Sequence, residues 1–148
     1  STRRPFTVVR ELEHPWPRRL RVFFHSYRPA GVVVSARLFE RALEVLSGVL
    51  TEAERLQWPA RFWADFAAFE APMAVDAASR PELDMLLATG QTHPTSRLEA
   101  LHRRLDDSGG AQWLNVVVSD CPCRYWEQQV RARCRGMLLC YDAGAGRP

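Results

Sequence analysis

The chain has 148 residues, of which 47% are hydrophobic and 25% charged, and its formal net charge at pH 7 is +3. These values are typical of a globular domain and exclude an intrinsically disordered chain. No stretch approaches the roughly 20 apolar residues that a membrane-spanning helix needs, so no membrane partner is expected. The N-terminal arginines are not followed by an apolar segment, so a secretory signal is not expected, and we expect an intracellular protein, cytoplasmic or nuclear.

Residue usage is biased, because all 20 basic side chains are Arg and the chain contains neither Lys nor Ile. The codons of Lys and Ile are AT-rich, which indicates a GC-rich source genome such as that of an actinobacterium or a GC-rich DNA virus. The charge is also unevenly distributed: residues 1–28 carry seven Arg against two Glu, whereas residues 29–90 carry five Arg against nine acidic residues. This asymmetry predicts either complementarity within the fold or a polar surface for a partner.

The first predicted elements are strands. Residues 1–6 are expected to form a flexible arm, and Thr7–Leu12 a short edge strand. In the segment Leu20–Tyr27, Leu20, Val22 and Phe24 would face one side of a strand. The side chains between them, which include further aromatic residues, would face the other side. Since both of its faces carry aromatic side chains, this segment is predicted to be a central strand of a sheet.

Two helices are predicted next. Ser35 is expected to cap a helix over Ala36–Leu50, whose apolar residues recur at i, i+3/i+4 and i+7. Thr51 and Glu54 have the spacing of a capping box, which predicts a second, short helix that ends near Trp58.

Residues 60–71 are ambiguous between a helix and a strand. Phe62, Trp63, Phe66 and Phe69 fit one helical stripe, and the alanines favour a helix, which is our first prediction. A strand over Arg61–Phe66 is the alternative. Such an aromatic stripe indicates a hydrophobic core or a seam for a partner.

Two more capping boxes predict two more helices. Ser79 and Glu82, with Pro81 in the first turn, predict a helix that runs to Thr89 and ends at Gly90. Ser96 and Glu99 predict another that ends at Ser108.

The last segment reads as strand, helix and strand. Trp113–Ser119 is a β-branched apolar run typical of a buried strand. Asp120 is expected to cap a helix that ends at Gly136, and Met137–Tyr141 is the second strand, parallel to the first. Residues 143–148 are expected to be a flexible tail.

These elements predict a single α+β domain over residues 1–148. It would have a small mixed sheet of three to four strands, four or five helices and a C-terminal β-α-β unit.

Cys121 and Cys123 form the sharpest chemical motif, Asp-Cys-Pro-Cys at a strand-to-helix turn. A helix N-terminus lowers the pKa of a thiol, so these two cysteines are candidates for redox or nucleophilic chemistry. Their spacing is not the C-x-x-C of thioredoxin-like folds, and two small buried thiols are the simpler interpretation. No zinc site is expected from the four cysteines, because Cys134 would lie roughly 16 Å along the helix from the other two.

No other catalytic motif is present, and no cofactor or metal is predicted. The arginines are the remaining candidates: Arg124, Arg131 and Arg135 would share one face of the last helix. Three further arginines lie at the start of the predicted strand Leu20–Tyr27: Arg18 and Arg19 precede it, and Arg21 is its second residue. Together they could bind phosphate, with Trp16, Tyr27 or Tyr125 stacking on bases.

Three functions follow as hypotheses. The first is a non-catalytic protein-interaction or regulatory module, since aromatic and Arg side chains suit interface hot spots and no catalytic motif is found. Its partner would be another protein or a second copy of this chain. The alternatives are nucleic-acid binding through the arginines and thiol chemistry at Cys121 and Cys123. The candidate binding residues are Arg18, Arg19, Arg21, Arg124, Arg131, Arg135, Trp58, Trp63 and Phe66.

Overall fold

The computed structural model describes residues 17–66, 73–92, 94–95, 97–106 and 112–144, which form five strands and four α-helices. The strands are β1 (Leu20–His25), β2 (Ala60–Ala64), β3 (Met73–Val75), β4 (Leu114–Ser119) and β5 (Met137–Tyr141). The helices are α1 (Ala36–Arg55), α2 (Arg80–Thr89), α3 (Glu99–Leu105) and α4 (Glu127–Arg133). The predicted α+β class is confirmed, with one strand more than expected.

The strands form one mixed sheet in the order β3-β2-β1-β4-β5. β1 is parallel to both β2 and β4, β4 is parallel to β5, and only β3 runs antiparallel. The predicted central position of β1 and the predicted parallel β-α-β unit are therefore confirmed. Leu20, Ala60, Leu114 and Met137 lie in one row of the register, so the four parallel strands begin at the same edge of the sheet.

The sheet lies between two layers of helices, because its side chains alternate between two cores. Val22 and Phe24 of β1 belong to the core that α1 covers, together with Leu83 of α2. Phe23 of β1 belongs to the other core, with Leu101 of α3 and Val130 of α4. The crossovers β1-α1-β2 and β4-α4-β5 thus pack on opposite faces. Two crossover connections of the same handedness that run in opposite directions from the centre of the sheet place their helices on opposite faces.

Helix α1 is longer than predicted. The Ser35 side chain accepts a hydrogen bond from the Leu38 backbone N–H, as expected for the cap. However, the helix continues without a break to Arg55, so the prediction of a second helix starting at Thr51 is wrong. Leu50 and Ala53 are buried on the same stripe as the preceding apolar residues, and continuing the helix keeps both in the core.

The segment at residue 60 is a strand, so our first prediction of a helix is wrong and the alternative is correct. Ala60–Ala64 pairs with β1 on one side and with β3 on the other. The alternation sends Phe62 into one core and Trp63 into the other. Pairing between two strands outweighs the helix propensity of the alanines. Residues 67–71 of the predicted helix lie outside the described residues.

The predicted last helix is divided in two. A 3-10 turn spans Cys123–Tyr125, and α4 begins only at Glu127 and stops before Gly136. Trp126 interrupts the helix with φ −144°, and its indole Nε1 donates to the Cys121 carbonyl at 2.8 Å. This buried hydrogen bond gives the side chain a fixed place in the core. Asp120 is consequently not a helix cap.

The remaining helices agree with the predictions in position but not in capping. Helix α2 has a Pro in its first turn and Gly90 as its C-cap, as expected. The Ser79 side chain does not cap it and instead accepts from the Asp76 backbone N–H at 3.0 Å. Helix α3 spans Glu99–Leu105, with Leu98 at its N-cap and Asp106 at its C-cap, so the predicted cap at Ser96 and the predicted end at Ser108 are both wrong.

The predicted termini are covered only in part. The arm over residues 1–6 and the strand Thr7–Leu12 lie outside the described residues, as do residues 145–148 of the tail. Ala143, predicted to begin that tail, is buried in the core that α1 covers, which corrects the boundary. None of the described helices combines the length and apolar character that a membrane crossing requires.

Candidate functional site

The carboxyl ends of the parallel strands bring most of the polar residues of the sheet to one edge. His25 ends β1, Asp65 follows β2, Asp120 follows β4 and Asp142 follows β5. The chain leaves β1 and β4 in opposite directions along the sheet, so the two strands flank a topological switch point. Open α/β sheets bind ligands in the crevice outside such a point, which makes this edge the first place to look for a site.

An ion pair occupies this crevice. The Arg28 guanidinium donates from Nη1 to Asp120 Oδ1 at 2.9 Å and from Nη2 to Oδ2 at 2.8 Å. The same guanidinium donates to the Tyr27 carbonyl at 3.0 Å and to Thr92 Oγ1 at 3.1 Å. The Asp120 side chain is fully buried, so both of its oxygens are committed to Arg28. The pair ties the ends of the two central strands together.

Three further polar side chains lie beside this pair. Both ring nitrogens of His25 and the Ser26 hydroxyl are buried and find no hydrogen-bond partner among the described residues. Burial is the main cause that lowers the pKa of His25 to about 3, so the ring is neutral. Burial also raises the pKa of Asp65 to about 7, although its Oδ2 accepts from the Ser26 backbone N–H at 2.7 Å. His25 and Ser26 are buried and so have no access to an external substrate in this conformation, whereas Asp65 is half-buried.

The thiols at this edge are not activated. Burial is the main reason that the pKa of Cys121 is raised to about 11 and that of Cys140 to about 12. Burial also raises the pKa of Cys123. Cys123 does not begin an α-helix; its backbone N–H donates to Asp142 Oδ2 at 2.9 Å. All four cysteines are free, and within the described ranges no three His, Cys, Asp or Glu side chains are grouped to hold a metal. The geometry therefore gives the thiol hypothesis no support.

Two of the predicted binding residues are buried inside the chain. Arg21 is 4% exposed; its Nε donates to Asn115 Oδ1 at 2.8 Å, and its guanidinium reaches the carbonyls of the last turn of α3. Trp63 is 4% exposed and packs in the same core as Phe23. Both residues hold the fold together and are removed from any contact with a partner. The predicted central strand already indicates burial on both faces, but the partners of Arg21 on Asn115 and α3 depend on the tertiary fold.

The predicted common face of Arg124, Arg131 and Arg135 is not formed. Arg124 lies in the 3-10 turn at the carboxyl edge, whereas Arg135 lies between α4 and β5 at the opposite edge. Arg131 donates to Glu127 Oε2 at 2.7 Å and to the Leu138 carbonyl at 3.2 Å, so its guanidinium is already engaged. The three arginines are all exposed, but the interrupted helix separates them.

The amino edge of the sheet carries an arrangement that the sequence did not predict. The Arg19 guanidinium lies 4.1 Å from the centre of the Trp113 ring, and the Arg61 guanidinium lies 5.0 Å from it. Trp113 itself is 7% exposed, while Arg18, Arg19 and Arg61 are exposed. None of these three arginines forms an ion pair with a described carboxylate. We call Arg18, Arg19, Arg61 and Trp113 the arginine surface.

The same edge has a groove on the other face of the sheet, between the end of α1 and the start of α2. Trp58, one of the predicted aromatics, lies in its wall and is half-buried. We call this cavity the Trp58 groove. Phe66, the third predicted aromatic, packs edge-on against Phe24 and Phe39 at centroid distances of 5.4 and 5.9 Å, so it belongs to the core.

Arg61 and Trp113 were not among the predicted binding residues, because neither residue alone carries a sequence pattern that indicates a binding site. Arg61 was assigned to a helix, and Trp113 was treated as the first residue of a buried strand. The observable signal was their position at the start of two strands that both pair with β1, which the topology brings to one edge. Comparison of the chain with protein-family models, with curated proteins and with solved structures finds no match, so function rests on this geometry alone.

Proposed function

We propose that the domain is a non-catalytic protein-interaction module whose arginine surface binds an acidic patch of a partner protein. The observation that carries the proposal is the stacking of Arg19 and Arg61 on Trp113 without an ion pair to any described carboxylate. Of the described groups at the carboxyl edge, Arg28 and Asp120 bind each other and His25 is buried. The exposed Arg124 lies 4.7 Å from the centre of the Tyr125 ring, but this is one guanidinium on a ring, whereas two lie on Trp113.

The stacking prepares both guanidinium groups for a carboxylate. A guanidinium that lies over an aromatic ring can still donate N–H groups from the rim of its plane, and it loses less side-chain entropy when it binds. Arg19 Nη1 donates to Gln112 Oε1 at 3.4 Å, a neutral and exposed contact that a carboxylate could replace. Charge-assisted, two-pronged hydrogen bonds from Arg to carboxylate are among the stronger polar contacts in proteins. Arg and Trp are also the residue types that dominate interface energetics.

The size of the surface favours a protein partner over nucleic acid. The arginine surface, as defined among the described residues, supplies three arginines, fewer than the 6–10 phosphate contacts typical of strong DNA binding. Of the other exposed arginines proposed for nucleic acid, Arg124 lies at the carboxyl edge, and Arg135 lies at the amino edge but before β5, on the far side of β4 from β1. A carboxylate-bearing protein patch needs only two or three such contacts.

Fluorescence anisotropy tests the proposal. The probes are a labelled 12-residue peptide with Glu and Asp around one aromatic residue and a labelled single-stranded DNA of the same charge. The variant Arg19→Glu/Arg61→Glu reverses the stacked pair, and Arg97→Glu/Arg124→Glu, at two exposed positions near the carboxyl edge, is the matched control with the same change in net charge. We expect peptide binding that falls at least tenfold in the first variant and less than twofold in the control.

Two outcomes contradict the proposal. If both double variants weaken peptide binding equally, net charge and not the arginine surface is responsible. If the DNA binds more tightly than the peptide and its affinity falls steeply between 50 and 200 mM salt, the nucleic-acid hypothesis replaces the present one.

A further inference from the structure

The Trp58 groove is a second concave feature, separate from the arginine surface. It has a volume of about 510 Å³, within the range of small-molecule sites. Its apolar lining comes from α1, from the turn after it and from the paired ends of β2 and β3, and consists of Leu50, Ala53, Trp58, Ala60 and Val75. Its charged rim comes from α1, α2 and the turn that precedes α2.

The rim carries an excess of negative charge. Arg80 donates from Nη1 to Glu54 Oε2 at 3.0 Å and from Nε to Asp84 Oδ1 at 3.1 Å. Asp76 also lines the groove, and its Oδ1 accepts from the Ser79 backbone N–H at 2.9 Å, so the rim carries three carboxylates and one guanidinium. The side chains of Glu54 and Asp84 are 69% and 60% exposed, which leaves them accessible to a second cation. A ligand that complements this rim carries positive charge.

The backbone holds Trp58 in the groove at an energetic cost. Gln57 has φ +58°, the left-handed conformation, and it is the one described non-glycine residue with a positive φ. The Gln57 N–H donates to the Glu54 carbonyl and the Trp58 N–H donates to the Ala53 carbonyl, which is the Schellman arrangement at the end of α1. Gly is the usual residue at this position, since the left-handed conformation is unfavourable for an L residue.

We propose that the Trp58 groove binds a small organic cation, an amine or guanidine attached to an apolar body. The cationic group lies between Asp76, Asp84 and Glu54, and the apolar body packs on Leu50 and the Trp58 ring. Carboxylates and an indole attract the same charge by different means, since the face of an aromatic ring is electronegative. Arg80 competes with the ligand for the rim carboxylates.

Isothermal titration of the full chain with phenethylamine tests the proposal, with 2-phenylethanol and phenylacetate as neutral and anionic analogues. We expect the amine to bind at least tenfold more tightly than either analogue. Arg80→Gln is expected to tighten amine binding three- to tenfold, because it frees Glu54 and Asp84. Asp76→Asn and Asp84→Asn are expected to weaken it by similar factors.

Arg80→Gln and the two Asp→Asn variants are expected to change amine affinity in opposite directions. This separates a binding role from a structural one, because a variant that only loosens the fold lowers the affinity for every ligand. Trp58→Leu is expected to reduce amine affinity at least fivefold, and Trp58→Phe should retain most of it. Circular dichroism at the titration temperature establishes that each variant is folded. Equal binding of the amine and the alcohol, absence of amine binding to the folded protein, or an unchanged affinity in Arg80→Gln would each overturn the proposal.

Discussion

Arg28 and Asp120, 92 positions apart in the chain, join the ends of β1 and β4 through two parallel hydrogen bonds of 2.9 and 2.8 Å. The pair lies at the switch point of the sheet, where folds of this topology hold their ligands. Here the protein itself fills that position with a guanidinium and a carboxylate. The exposed arginines of the amino edge are therefore the surface that we propose for a partner.

Asp120→Asn should destabilise the domain by about 3 kcal/mol, because it leaves the partly buried Arg28 charge without its carboxylate. Urea unfolding followed by circular dichroism measures the change. Glu127→Gln is the control, since it removes the exposed ion pair with Arg131 and should cost less than about 1 kcal/mol. Equal losses in the two variants would show that the Arg28–Asp120 pair contributes no more than a surface pair.

Asp65 should make the wild type lose stability as the pH rises. Its pKa is about 7 in the fold against an ordinary value of 3.8, so the folded state binds the proton more tightly than the unfolded state. The contribution of Asp65 to the free energy of unfolding is therefore highest below pH 4, and it falls by up to about 1.4 kcal/mol per pH unit towards pH 7.

Asp65→Asn should abolish this dependence, so the variant should be the more stable protein at pH 8 and should match the wild type at pH 4. The neutral His25 has the opposite effect, because its pKa is lowered to about 3 and its stabilisation is lost as the pH falls from 6.5. Both proteins contain His25, so the difference between them isolates Asp65. A difference that does not change with pH would contradict the assignment.

Arg21→Met should cost about 3 kcal/mol although it replaces a charge with an apolar chain of similar length. The substitution leaves the Asn115 oxygen and the carbonyls at the end of α3 without their buried donor. Thermal unfolding of Arg21→Met beside Arg18→Met provides the comparison, since exposed Arg18 should change stability by less than about 0.5 kcal/mol. Similar melting temperatures for both variants would show that Arg21 is not a structural residue.

Cys121 should resist alkylation in the folded protein. It is fully buried and its pKa is raised to about 11, so almost no thiolate forms at neutral pH. Iodoacetamide at pH 7.5, followed by mass spectrometry of the peptides, should show Cys121 modified only when urea is added. Rapid modification of Cys121 without denaturant would restore the thiol hypothesis.

The elements of the fold could largely be predicted from local patterns. The β-branched run after Trp113 and the apolar stripe of α1 each specify one structure, and both were correctly assigned in type. The strand at Ala60–Ala64 was not, because its alanines and aromatics fit a helix locally and only pairing with β1 and β3 selects the strand. Such pairing has no signal within the segment itself.

The site was harder to predict than the fold, because burial and pairing decide what a polar residue does. Arg21 and Arg19 are two positions apart in the chain. Arg21 is buried and holds the fold together through hydrogen bonds, whereas Arg19 is exposed and lies over the Trp113 ring. The positions of Arg61 and Trp113 beside each other depend on the strand order, which the local sequence does not encode. Likewise, Asp120 has the sequence context of a helix cap but binds Arg28.

A charge exchange tests the central claim, that the arginine surface binds an acidic partner, most directly. Binding is measured for the wild type and for Arg19→Glu/Arg61→Glu, each with the acidic peptide and with its counterpart in which Lys replaces Glu and Asp. The account predicts that the wild type prefers the acidic peptide and that the variant prefers the basic one, each by at least tenfold. If the variant keeps the preference of the wild type, the arginine surface is not the interaction site.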